Sequence, residues 1–159
     1  MSVGGPGGGD AAEIAARVLP AWDGWGGASV TAVAGGLINR TYLLERDGAR
    51  AVLQRVSPIF SPAIHDDIQA VTTQLEAAGL VTPRLVPAQG GRLWLPAAAP
   101  GGGVWRMLTH VPGTTFDVVA ALAQAEEAAA LIGRFHRALD GMDHAFGGQR
   151  AGVHDTARH

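Results

Sequence analysis

The sequence predicts an α+β fold built on an antiparallel sheet, and three observations carry that prediction. Two strand-like runs, Thr41–Glu45 and Ala49–Val56, flank Asp47-Gly48, a dipeptide that tolerates the positive φ of a tight hairpin turn. Ile64, Ile68, Val71 and Leu75 recur at the spacing of one helix face. The order of parts is a strand meander, a helix, further strands and then a long helix, which is the layout of an α+β domain.

The elements follow in order. Residues 1–9 are mostly glycine and are expected to be disordered. Asp10 is placed to cap a helix with Glu13 three residues on; Ile14, Val18 and Trp22 recur at helical spacing, and Pro20 limits the helix. A loop spans Gly24–Gly27, and a first strand covers Ser29–Ala34. After the hairpin, Ser57-Pro58 and Ser61-Pro62 mark a loop and a helix start with Pro62 near the first turn; Gly79 is its stop. Arg84–Val86 and Arg92–Leu95 are expected as short strands around a Gly90-Gly91 turn, followed by a flexible loop, Pro96–Gly103, and a strand, Val104–His110. Pro112-Gly113 breaks the chain. Thr114–Asp117 then offer caps for a helix over Val118–Leu139, with Leu122, Ile132, Phe135 and Leu139 among its apolar positions. From Met142 the chain is polar and Gly-rich, with three histidines.

Composition narrows the function classes. The 159 residues suffice for one domain with a core, and 47% hydrophobic with 16% charged residues suits a globular chain. A net charge of -2 gives no general attraction to nucleic acid or an anionic membrane. All 12 basic residues are arginine, so any phosphate anchor must be arginine, and lysine nucleophiles are excluded. With no cysteine, disulfides, thiolate catalysis and Cys-ligated zinc are excluded. No signal peptide or membrane-spanning run is visible, so a cytoplasmic protein is expected.

The segment Val30–Val56 is the richest in chemistry. A strand enters the Gly35-Gly36 turn, a second leaves it, and a third carries Arg55 on the face shared by Ala51 and Leu53. This is the layout of a nucleotide-phosphate cover with a cation behind it. The plainer alternative is a β-turn joining two strands, with Asn39 capping the turn and Arg55 solvated.

The series Gly35-Gly36-Leu37-Ile38-Asn39-Arg40-Thr41-Tyr42, Val52-Leu53-Gln54-Arg55-Val56 and Asp67-Ile68-Gln69-Ala70-Val71-Thr72 continues with Thr82-Pro83, Trp105-Arg106-Met107-Leu108, Pro112-Gly113 and Ile132-Gly133-Arg134-Phe135-His136. In order and spacing this resembles the small lobe of a protein-kinase-like fold. More narrowly it is similar to the aminoglycoside phosphotransferase and choline kinase superfamily, and most similar to its N-acetylhexosamine kinase branch. The resemblance implies a small lobe of antiparallel sheet plus one helix, with its hinge, over residues 10–110, and the first large-lobe helix within 111–159. It implies ATP as cofactor, with Gly35, Gly36, Leu37 and Asn39 at its phosphates and Arg55 as the cation gripping them. Asp66, chosen over Asp67 and Glu76, is the implied acid partner of Arg55. Thr109, His110 and Val111 are the implied hinge residues whose backbone meets adenine.

The same family keeps its catalytic aspartate and its Mg²⁺-holding asparagine and aspartate in the large lobe. Here Asn39 is the only asparagine, and neither Asp-Phe-Gly nor Asp-x-Asp occurs. His154-Asp155-Thr156 has its histidine and aspartate adjacent, unlike a His-x-Asp catalytic loop. The expectation is therefore a phosphotransferase truncated before its catalytic loop and inactive alone. A full-length relative would use Mg²⁺ and a small-molecule acceptor such as a sugar. The alternative is a non-catalytic nucleotide-binding or interaction module. The apolar face of the last helix, lacking large-lobe partners, favours self-association. His144, His154, Asp155 and His159 are irregularly spaced and are expected to form a solvated tail rather than a metal site.

Overall fold

The computed structural model describes residues 8–98 and 102–148, with only the backbone of Gly8 and Gly9. Its elements are α1 (Gly8–Arg17), a 3₁₀ turn (Leu19–Ala21), β1 (Ser29–Val33), β2 (Arg40–Arg46), β3 (Ala49–Val56), α2 (Ile64–Ala77), a second 3₁₀ turn (Gln89–Gly91), β4 (Val104–Thr109) and α3 (Leu122–Leu139). The four strands form one antiparallel sheet in the order β1-β2-β3-β4. The predicted α+β class therefore holds.

Local chemistry explains most boundaries. Asp47 and Gly48 take φ 50° and 80°, the geometry that a two-residue hairpin requires. Gly79 ends α2 at φ 75°, with the Leu80 amide donating to the Leu75 carbonyl at 2.9 Å and the Gly79 amide to Glu76 at 2.9 Å.

Four expectations need correction. Asp10 does not cap α1, which starts at Gly8; its carboxylate lies in the first turn and faces Arg40 at 3.6 Å. The last helix begins at Leu122, not Val118, because the Gln124 side chain accepts the Ala120 and Ala121 amides at 2.7 and 3.2 Å, fixing the helix start there. Arg84–Val86 and Arg92–Leu95 do not form strands. Prolines 83, 87 and 96 deny them ladder donors, so only the bridges Leu85–Leu108 and Leu95–Trp105 remain. Finally, His144 is not in a solvated tail, as described below. His154, Asp155 and His159 lie outside the described residues.

The two faces of the sheet differ. Period-2 alternation places Tyr42, Leu44, Ala51, Leu53, Trp105 and Met107 on one face, which α1 and the first 3₁₀ turn cover with Ile14, Val18, Leu19 and Trp22. The other face carries Thr41, Leu43, Val52, Gln54, Arg106 and Leu108, all half-buried. α2 lies on this second side: its buried His65 stacks on Trp94 at 5.4 Å and feels the charge of Arg106. α3 packs beside α2, where Gln74 Nε2 donates to the Ala138 carbonyl at 3.1 Å. Leu131, Ile132 and Phe135 of α3 remain 49%, 56% and 38% exposed.

Candidate nucleotide site

The glycine turn between β1 and β2 is open backbone. Gly35 has φ 93° and free space around it, while a Cβ on Gly36 would stand 2.7 Å from the Asn39 carbonyl oxygen. Leu37 is fully exposed at the tip. The Asn39 side chain is engaged away from the turn: its Oδ1 accepts the Ser57 amide at 2.9 Å, tying the start of β2 to the end of β3.

Arg55 shares a face with Ala51 and Leu53, as alternation requires, but that face is the one covered by α1. Its guanidinium sits 5.9 Å from the Trp105 ring centroid and lines an open cleft of about 350 Å³ with Ile38, Arg40, Ser57, Gly103 and Val104. No carboxylate pairs with it among the described residues. Asp66 is exposed and stands in no ion pair there, so the structure does not bring Asp66 and Arg55 together. Gly103 seats the Arg55 side chain: at φ 74°, an added Cβ would fall 2.6 Å from Arg55 Nε. Gly103→Ala is expected to cost about 1–2 kcal/mol through backbone strain and the displaced guanidinium, measurable as a lowered urea midpoint.

The second face carries a polar run that the sequence reading missed. Gln54 on β3 donates from Nε2 to Thr41 Oγ1 at 3.2 Å and accepts from Arg106 Nε at 2.9 Å. Three strands are thus linked in one row, Thr41–Gln54–Arg106. Arg106 Nη1 is buried with no partner, and burial pushes the guanidinium below its ordinary pKa. His65 Nδ1–H donates to the Pro62 carbonyl at 2.8 Å, which leaves Nε2 as an unpaired acceptor. Burial first, then Arg106, lowers the His65 pKa against the opposing effects of the Pro62 carbonyl and Asp66. Gln69 Oε1 on α2 is likewise buried and unpaired. Beside the polar run lies an apolar strip, with Leu43 opposite Val52 and Val52 opposite Leu108. The only sequence signal for this row was parity within β3, which puts Gln54 on the face that Arg55 does not share; Arg106 joins that face through the β3–β4 register.

At the hinge, Thr109 is already committed. Its amide donates to the Arg84 carbonyl at 2.8 Å, and its hydroxyl accepts the Arg84 amide at 2.9 Å. The amides of His110 and Val111 have no protein partner among the described residues. All three line a cleft of about 460 Å³ with Glu76, Thr82, Arg84 and Pro112.

The buried carboxylate of α2 is Asp67. It accepts from His144 Nε2 at 2.8 Å and from the amides of Gly147 and Gly148 at 3.1 and 2.7 Å. Burial alone would raise its pKa, but these hydrogen bonds and the His144 charge bring it below the ordinary carboxylate value. This pairing joins α2 to the segment after α3 and is structural. Among the described residues no cluster of His, Asp and Glu is suited to holding a metal, and no helix is long and apolar enough to cross a membrane.

The arrangement is that of a kinase-like small lobe. A solved structure of the microcompartment-associated aminopropanol kinase is similar in fold, with a TM-score of 0.60 and 21% sequence identity over 83% of this chain. The chain spans 42% of the length of that kinase. The model of the phosphotransferase enzyme family matches residues 29–156, from β1 through the segment beyond α3. The chain belongs to the phosphotransferase enzyme family.

Proposed function

We propose that this chain binds ATP as the small-lobe side of a small-molecule phosphotransferase with a hydroxyl-bearing acceptor. The observation that carries the reading is the half-exposed second sheet face. Its apolar strip Leu43–Val52–Leu108 ends at the unpaired amides of His110 and Val111, and its polar row Thr41–Gln54–Arg106 lies beside it. An adenine ring fits an apolar floor with backbone donors at its edge, and phosphates fit a cationic row near a glycine turn whose backbone is accessible. ATP supplies the transferable phosphoryl group; the residues of this chain bind and orient it.

The N-acetylhexosamine branch is the acceptor class favoured by the motif series, and a sugar hydroxyl is the acceptor we propose. The sequence's His-x-Asp, His65-Asp66-Asp67, has Thr72 rather than asparagine five residues on, and Asn39 is the only asparagine, so no His-x-Asp-x-x-x-x-Asn catalytic loop is present and this chain by itself is expected to transfer no phosphate. That same absence favours the second reading, a non-catalytic nucleotide-binding module.

Titration calorimetry with ATP-Mg is expected to give saturable heat, and adenosine to compete. Absence of any binding by either ligand would overturn the reading. Transfer of labelled γ-phosphate to a sugar by the purified chain would overturn the expected inactivity. Gly36→Ala is expected to weaken ATP several-fold, because the added Cβ meets the Asn39 carbonyl oxygen and forces the turn open; unchanged affinity would remove the turn from the site.

A further inference from the structure

We infer that Arg106 on β4, held in place by Gln54, is the small-lobe cation that meets the nucleotide's phosphates, and that Arg55 is not. This rests on the ATP-binding reading above and assigns a residue within that site.

Two geometric facts lead there. Arg55 is turned to the face covered by α1, where it lies over Trp105 and against Gly103. A nucleotide on the half-exposed second face has the sheet between itself and that guanidinium. Arg106 lies on the second face, adjacent in register to Gln54. One of its nitrogens, Nε, is bound to Gln54, and Nη1 is enclosed without a partner.

The electrostatics agree. A guanidinium taken out of water is costly unless an anion or several acceptors compensate it. Arg106 has no carboxylate partner among the described residues, and one neutral amide oxygen is its only acceptor there. The carboxylates of α2 do not supply the missing charge: Asp67 is committed to His144 and two amides, Glu76 pairs with Arg84, and Asp66 is exposed. An anion is therefore the missing partner, and on this face of a phosphotransferase-family chain a phosphate group is the anion that fits. Gln54 positions Arg106: with its Nε2 tied to Thr41, its Oε1 is fixed toward Nε and leaves the other guanidinium nitrogens for the ligand.

The test is calorimetry on the full chain with ATP and with adenosine, applied to three variants whose folding is checked by circular dichroism. Gln54→Glu keeps the shape of the row but places a carboxylate against Arg106, neutralising it. Arg106→Met removes the charge, and Arg55→Met removes the charge on the opposite face. We expect Gln54→Glu and Arg106→Met each to weaken ATP at least tenfold with adenosine affinity unchanged, and Arg55→Met to leave both ligands as in the wild type. Should Arg106→Met fail to fold, Gln54→Glu decides alone. Wild-type ATP affinity in Gln54→Glu and in any folded Arg106→Met would overturn the assignment, as would selective loss of ATP in Arg55→Met; in either case the ATP-binding reading survives. Loss of adenosine together with ATP in the variants would make the row part of the adenine floor and also overturn it. If the wild-type chain binds neither ligand, both readings fall together.

Discussion

Trp22→Ala is expected to lower the stability of this chain by about 3–5 kcal/mol, the range for emptying a large aromatic site in a packed core. Trp22 is 1% exposed and follows the 3₁₀ turn that covers the first sheet face, among Leu19, Leu44, Leu53 and Met107. Its indole Nε1 also donates to the Val86 carbonyl at 2.9 Å. That bond ties the N-terminal cover to the irregular segment between α2 and β4, 64 residues away. Alanine leaves both a cavity and an unmatched carbonyl. Trp22→Phe separates the two effects: most of the apolar volume returns, the donor does not, and the expected cost falls to about 1–2 kcal/mol. Urea denaturation followed by far-UV circular dichroism measures both. Since small domains are stable by roughly 5–15 kcal/mol, the alanine variant is expected to show a large shift in midpoint. A shift below that of Trp22→Phe would show that the site collapses around the smaller side chain.

Asp67→Ala is expected to release the segment after α3 and to cost about 2–3 kcal/mol, since it abandons three charge-assisted or amide hydrogen bonds at a buried carboxylate. Hydrogen exchange at the Gly147 and Gly148 amides reports the release directly. Exchange unchanged from wild type would contradict the latch. The packing leaves little room for variation: a Cβ on Gly148 would stand 2.7 Å from Asp67 Oδ2 and 2.9 Å from the Ile64 Cα. Gly148→Ala is therefore expected to open the same latch from the other side.

The pH dependence has a definite sign. The folded-state pKa of Asp67 lies below its unfolded value. Its contribution is thus complete above the unfolded carboxyl value, about 3.9, and is lost as pH falls through the lower folded value. Amide protection at Gly147 and Gly148 is expected to hold from neutral pH down to about 4 and to be lost progressively as pH falls from there through the lower folded-state value. In Asp67→Asn the acid limb of that profile should be absent.

Much of the fold was legible because its determinants are local. Asp47-Gly48 fixes the β2–β3 hairpin through backbone conformation alone, and Gly79 stops α2 in the same way. The strand Ala49–Val56 was placed to the residue. The start of α3 was missed by four residues because Gln124, not the Thr114–Asp117 group, receives the first free amides. The Asp67–His144 pair had no sequence signal as a pair, since its members are 77 residues apart and the motif that begins at Asp67 says nothing of His144. Asp66 and Asp67 are neighbours with opposite fates, because successive helix positions point about 100° apart and only one of them meets the returning chain.

The sequence by itself determined an α+β fold, through glycine turns, hairpin chemistry and helix periodicity in one order, and its motif series resembles the phosphotransferase family to which the chain belongs. Period-2 alternation also showed that Arg55 shares a face with Leu53 and that Gln54 does not. Alternation cannot say which face a helix will cover. That was decided by the tertiary structure, where α1 packs over the Leu53 side and α2 stands over the other. The burial of apolar area by α1 turns Arg55 toward Trp105 and leaves the row of Thr41, Gln54 and Arg106 beside the hinge strand, a result of contacts between segments far apart in the chain.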